Sequence, residues 1–262
     1  MNTIRKILSN KYLLTFFGII FFFSLWTLLY LLAGQSQAIF PSPIETIAEA
    51  YSYLGEAYIY KCIWGSFSRM LIGFSLASIL GIIVGVIVGN FTSLKYVFNP
   101  TIIALKAIPT AAIVFLFLIM AGLKNAPIYV VSIIVFPMVY EATVSGYNHI
   151  SNDLILAMRV DGGNGFMSNL KIKFPLSLPY IALGLVSSFA LSFKIEIMAE
   201  VISGSSSYGL GRAIQVAYIN SDKGLVPTFA YSFIAIVIML IVSLIVDIIK
   251  KLTKIDKLTE AK

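Results

Sequence analysis

Reactive side chains are scarce in this sequence, which has one cysteine, one histidine and 12 acidic residues in 262 positions. A lone Cys62 forbids an internal disulfide and reads as a packing residue. His149 has no second His or Cys near it, so the usual zinc ligand sets are excluded and a surface role is expected. No apolar run contains a histidine, which removes the Ser and His pair at equal depth that an intramembrane serine protease would use. The segment "GSSSYGLG", Gly204 to Gly211, imitates half of a phosphate-binding loop, but Leu210 stands where the phosphate-contacting lysine belongs. The chain is therefore expected to be non-catalytic, with no metal or cofactor of its own. Period repeats and low-complexity linkers are also missing, which points to one membrane domain with short tails.

Hydrophobic residues make up 59% of the chain and charged residues only 12%, far from the balance of a soluble domain. Uncharged runs long enough to cross about 30 Å of hydrocarbon occur at Tyr12–Ala33, Met70–Leu94 and Gly224–Val246, and Phe174–Phe193 qualifies with slight extension. Two more spans tolerate a charge: Tyr96–Gly122 contains Lys106, and Ala126–Asn148 contains Glu141. The expectation is an all-α integral membrane protein with six transmembrane helices. The first run outlasts the roughly 7 to 15 residues of a signal h-region, and no good cleavage site follows, so it reads as an uncleaved helix.

Lys and Arg are divided unevenly between the two sides. The N-terminus, Lys95, the stretch around Arg159 to Lys173 and the C-terminal tail hold twelve, against Lys61, Lys124, Arg212 and Lys223 opposite. By the positive-inside rule both termini are cytoplasmic. The formal charge of +7 then reflects topology rather than nucleic-acid binding. The expected organisation is a cytoplasmic tail at 1–11, a transmembrane domain at 12–249 and a second cytoplasmic tail at 250–262.

Several local patterns refine this outline. In "FPSPIETIAEAYSYL", Ser42 suits an N-cap, Pro43 the first helical position and Glu45 the third, which predicts an external helix at about 43–55. Its Ile44, Ile47, Ala48 and Tyr51 share a face, so the helix either lies on the outer membrane interface or is an ordinary loop helix. Small residues recur every fourth position at Gly73, Ala77, Gly81, Gly85 and Gly89, a stripe that lets another backbone approach. Packing within the chain is favoured over a dimer seam. Pro109 and Pro137 each free a backbone carbonyl and can bend their helices.

Charges inside the spans are candidates for a translocation pathway, namely Arg69, Lys106, Lys194, Glu196 and Glu200. The alternatives are an ion pair of Lys106 with Glu141, Glu196 or Glu200, and snorkelling of Arg69 and Lys194. Glu196 and Glu200 share a helical face, whereas Lys194 points nearly the opposite way.

The polar, glycine-rich segment "LAMRVDGGNGFMSNLKIKFPLSLP" interrupts the apolar pattern on the cytoplasmic side. Asp161-Gly162-Gly163 should break it into two helical pieces, the second ending before Pro175. Its amphipathic surface carries the lone Arg159, too little positive charge for a lipid-binding helix, so docking to a cytosolic partner is preferred.

Here the sequence resembles a known family. Ala157, Gly162, Ile172 and Pro175 match the spacing of the "EAA" signature of permease subunits of ATP-binding-cassette importers, with Leu156, Met158 and Phe174 standing in for its Glu, Ala and Leu. "PSPIETI", "SFSRMLIGF", "LKAIPTAA" and "SSYGLGRAI" look like segments of the subgroup that handles nitrate, sulfonates, taurine and thiamine precursors. The resemblance implies a type I importer permease fold in the bacterial cytoplasmic membrane. It further implies a homodimer, two cytoplasmic ATPase subunits that bind ATP and Mg, and an external solute-binding protein. The segment at about 149–175 becomes the coupling loop, with Asp153, Leu156, Ala157, Arg159, Asp161, Gly162 and Gly163 facing the ATPase. A secondary transporter or channel working alone is the competing expectation.

Overall fold

The computed structural model describes residues 11–91, 93–160, 165–204 and 208–253. These residues form helices α1 (Lys11–Leu32), α2 (Pro43–Leu54), α3 (Ala57–Asn90), α4 (Leu94–Ala107), α5 (Thr110–Asn148), α6 (Asn152–Val160), α7 (Phe166–Ser203), α8 (Leu210–Asn220) and α9 (Val226–Thr253). Five of them, α1, α3, α5, α7 and α9, are long and apolar enough to cross a membrane. The all-α class expected from the sequence is the class observed. The chain packs as two units, Met1–Tyr60 with Ala213–Ile236, and Lys61–Arg212 with Val237–Lys262.

In the first unit α2 begins as its sequence dictates. The Ser42 hydroxyl accepts from the Glu45 backbone N–H at 3.2 Å and donates to Glu45 Oε2 at 2.9 Å, with Pro43 in the first turn. Aromatic rings hold the unit together. The Trp26 indole N–H donates to the Pro41 carbonyl at 3.1 Å, Phe40 meets Phe229 edge-on at 5.4 Å, and Tyr53 stacks on Tyr231 at 4.4 Å. Ile44, Ile47, Ala48 and Tyr51, the face read from the sequence, are all exposed, while Thr46 and Ala50 are buried.

The second unit is built on close helix approach. A Cβ placed on Gly73 would lie 2.9 Å from Val131 Cβ, one on Gly81 2.9 Å from Val139 Cβ, and one on Gly89 2.6 Å from the Tyr147 ring. Each small residue of α3 thus meets the residue 58 positions later, so α3 and the second half of α5 run parallel. Ser132 adds a hydrogen bond from its hydroxyl to the Gly73 carbonyl at 3.1 Å. The stripe packs within the chain, as expected, because only residues without bulk let two backbones meet at this distance.

Two parallel helices require the chain to travel back between them, and α4 with the first arm of α5 does so. At Gly122 the backbone leaves the helix with φ 74° and ψ 169°, a region that only glycine enters freely. Phe117 stacks on Tyr129 across this point at 5.7 Å, and farther out Lys106 pairs with Glu141 and Lys95 with Asn148. All three pairs centre near residue 122, which makes the segment an antiparallel hairpin rather than one rod. The expected helix Tyr96–Gly122 is divided by extended backbone at Ile108 and Pro109. By contrast, Pro127 and Pro137 sit inside the second arm without breaking it.

Helix α7 runs antiparallel to that arm, with Gly146 against Ser177 and Gly184 against Ala142. Ala77, Val131, Val135, Val139, Ile195 and Ala199 form the apolar centre of this unit. The helical piece expected to stop before Pro175 does not stop there, since α7 continues through Pro175 and Pro179 to Ser203. A proline removes one amide donor from a helix but leaves its neighbours' bonds, and packed membrane helices absorb that loss.

Candidate functional site

Two ionic features sit inside the second unit, one closed and one open. In the closed one, Glu196 and Glu200 lie one turn apart on α7, both with side chains fully buried. Arg69 on α3 reaches both: Nε donates to Glu196 Oε1 at 3.1 Å, and Nη2 donates to Glu200 Oε1. Nη2 also donates to the Tyr208 carbonyl at 2.8 Å. Ser66, one turn before Arg69, donates to Glu200 and accepts from the Leu210 N–H at 2.8 Å, while the Gly211 N–H donates to Glu200 Oε2 at 2.8 Å. Glu200 is therefore surrounded by donors, as a buried carboxylate requires.

The segment Tyr208 to Gly211 fits because it has little bulk. A Cβ on Gly209 would lie 2.6 Å from Arg69 Nη2 and 2.7 Å from both Glu200 carboxylate oxygens. The cluster thus joins α3, α7 and the start of α8 into one ionic core. Arg69 does not snorkel, because a guanidinium so well supplied with acceptors has no need of bulk water. Ser66, Tyr208 and Gly209 escaped the sequence reading, although "SFSRM" and "SYGLG" contain them. The signal was the three-residue spacing of Ser66 and Arg69, which puts both on one helical face.

The open feature is the pair Lys106 and Glu141, with Nζ 2.9 Å from both carboxylate oxygens. Their side chains are 52% and 47% exposed. Of the partners considered for Lys106, Glu141 is the one it meets, and Glu196 and Glu200 belong to Arg69 instead. Lys194 is exposed and turned away from buried Glu196, as the helical angles require. The five charges read as pathway candidates therefore fall into three places.

Between α5 and α7 the short helix α6 stands on the surface. Asp153, Leu154, Leu156, Ala157 and Val160 are all exposed on it. Ser151 starts the helix, its carbonyl accepting from the Ile155 N–H at 3.2 Å. The side chain of Arg159, and Asp161, Gly162 and Gly163 entirely, lie outside the described residues.

The sequence and fold of this chain have counterparts among known proteins. Residues 77–254 match the model of the family described as "Binding-protein-dependent transport system inner membrane component". The chain belongs to that family. The match takes in Lys106, Glu141, α6, both buried glutamates and the Tyr208–Gly211 segment, while Arg69 and Ser66 precede it. A probable ABC transporter permease protein of Brucella melitensis is 28% identical over 211 residues, covering 80% of this chain and 84% of the relative. The nitrate import permease protein NrtB of Synechocystis is 28% identical over 194 residues, 69% of each chain. Among solved structures, the inward-facing MetNI methionine ABC transporter superposes with a TM-score of 0.61 at 15% identity, covering 74% of this chain and 95% of that one. That likeness is one of fold. This family member is accordingly a multi-span membrane component of a transport system.

Proposed function

We propose that the chain is the permease subunit of an ATP-driven importer that passes a small anion of the nitrate or sulfonate type. The observation that carries this reading is the exposed helix α6 in a chain of this family, set between two membrane-spanning helices and presenting Leu154, Leu156 and Val160 to the surroundings. Exposed apolar side chains on a surface helix suit a protein partner better than water. In this reading two cytoplasmic ATPase subunits receive α6 from two copies of the permease, and ATP with Mg is bound by those partners. An external binding protein delivers the solute.

The same reading has six crossings with both termini in the cytoplasm. They are α1, α3, the two arms of the α4–α5 hairpin, α7 and α9, with the excess of Lys and Arg on the inner side. Asp153, Leu156, Ala157 and Arg159, with Asp161, Gly162 and Gly163 beyond them, form the coupling surface. Lys106 and Glu141 line the solute path, because a half-exposed ion pair some twelve residues into a membrane hairpin faces water or protein rather than lipid. Similarity to a nitrate import permease supports an anion.

Proteoliposomes holding the permease with its co-expressed ATPase and binding protein test this function. Uptake of labelled nitrate or ethanesulfonate that needs ATP and all three components is the expected result. Uptake by the permease alone, without ATP, would instead identify a stand-alone transporter.

A further inference from the structure

The surroundings of Lys106 and Glu141 carry the reading one step further. From Val131 to Tyr147 every residue of the second arm of α5 is buried or half-buried except Glu141, which is exposed. On α4, Lys95, Asn99 and Lys106 fall within about 40° of one another around the helix, at 3.6 residues per turn. Asn99 and Lys106 are exposed, and Lys95 bonds Asn148 on the facing arm. This face carries Lys95 and Asn99 in its first two turns and Lys106 two turns farther on, about 17 Å above Lys95 at 1.5 Å per residue, with Ile102 and Ile103 between them. It ends where the helix stops, at extended Ile108 and Pro109.

A lysine already neutralised by a carboxylate is not a ready anion site, and this is the point of the geometry. We propose that Glu141 is a resident competitor for the solute on Lys106: a small monoanion takes its place on the ammonium during passage, and Glu141 regains the lysine on release. This inference rests on the proposed import of a small anion. Charge accounts for the cycle. The empty pair is neutral, so Lys106 carries no bare charge within the membrane. When the anion binds, the displaced carboxylate is still half exposed, so water solvates it. Its negative charge then repels the bound anion and favours exit. Such a site is weak by construction, which suits passage better than storage. A dianion would face the same single ammonium and the same freed carboxylate, so monoanions are selected over dianions. Glu141 is thus a specificity-determining residue.

The test uses the permease–ATPase complex in nanodiscs, titrated with nitrate, ethanesulfonate, sulfate or choline at constant ionic strength held with gluconate. The shift in thermal midpoint reports binding. Nitrate and ethanesulfonate should stabilise the wild type, sulfate and choline much less. Glu141→Gln should lower the half-saturating nitrate concentration about fivefold, the gain from removing a half-exposed competing charge. Lys106→Met should abolish the shift, and Lys106→Arg should keep it. A Glu141→Gln complex that titrates like the wild type overturns the competitor role. So does a choline shift that disappears in Glu141→Gln, since the carboxylate would then be the contact, and so does the absence of any anion shift in the wild type. If each single variant loses stability without ligand and the double variant regains it, the pair is structural only. Parallel uptake assays separate the two readings. Uptake lost in Lys106→Met with unchanged titration in Glu141→Gln leaves the path standing and removes the competitor, whereas full uptake in Lys106→Met removes Lys106 from the path itself.

Discussion

Gly85 on α3 faces Thr143 on α5 so closely that a Cβ on the glycine would lie 2.6 Å from the threonine Cβ. Thr143 is itself fully buried and its hydroxyl is committed to the Val139 carbonyl at 2.8 Å, so it cannot retreat. Gly85→Leu should therefore lower the stability of the membrane domain by about 1 to 3 kcal/mol, as overpacking does in soluble cores. Thermal unfolding in detergent measures this, and an unchanged midpoint would contradict the parallel packing of α3 and α5.

Arg69→Met should do more harm than any single packing change. It leaves the carboxylates of Glu196 and Glu200 buried without their cation, a loss of about 3 to 5 kcal/mol for a broken buried pair. The expected outcome is a permease that reaches the membrane poorly. Adding Glu196→Gln and Glu200→Gln should recover part of the yield, because three neutral groups no longer oppose one another. Fluorescence-detected size exclusion of the single and triple variants gives the comparison.

Gly209→Ala tests whether the Tyr208–Gly211 segment is seated on that cluster. The added methyl meets Arg69 Nη2 and both Glu200 oxygens, and these groups are held by several bonds each. A loss of about 1 to 3 kcal/mol is expected from the displaced hydrogen bonds. The same change at Gly165, where a Cβ would meet nothing within 4 Å, serves as the control.

At Gly122 the expected cost has a different origin. A Cβ there would also meet nothing within 4 Å, so any penalty comes from the backbone alone, at φ +74° and ψ 169°. Gly122→Ala should cost about 1 to 3 kcal/mol through strain in a region reserved for glycine. Equal stability of the two proteins in thermal melts would show that the hairpin tolerates a relaxed turn.

Leu156, 56% exposed on α6, stands where the resemblance to the importer signature would place a glutamate. If α6 docks on an ATPase through its apolar residues, Leu156→Asp should cut co-purification of the ATPase about tenfold, the effect of losing roughly 1.4 kcal/mol from one buried anchor. Leu156→Glu, which restores the residue type of the signature, distinguishes loss of an apolar anchor from a general intolerance of charge. Quantified pull-down from membranes reads both.

Much of this molecule was legible along the chain because membrane solvation is a local constraint. A run of apolar residues must be helical where no water can satisfy its backbone, so the long helices could be placed by composition alone. The cap at Ser42 and Glu45, the shared face of Glu196 and Glu200, and the small-residue stripe follow from spacings of three and four, which a helix converts directly into neighbours. Partnership at a distance does not follow from spacing. Arg69 finds acids 127 and 131 positions away, and Lys106 takes Glu141 while the equally acidic Glu196 and Glu200 go elsewhere. These choices depend on which helices are parallel, and that was decided by the reversal at Gly122 and the constant offset of 58 along the stripe. Prolines show the same division. The residue type announces a missing amide donor at Pro109, Pro137 and Pro175 alike, but only at Pro109 does the helix break, and it does so beside the one exposed ion pair on that hairpin. Local chemistry determined where helices form; the tertiary packing decided which charges are enclosed and which are left open, because enclosure is a property of the neighbours that close approach brings together.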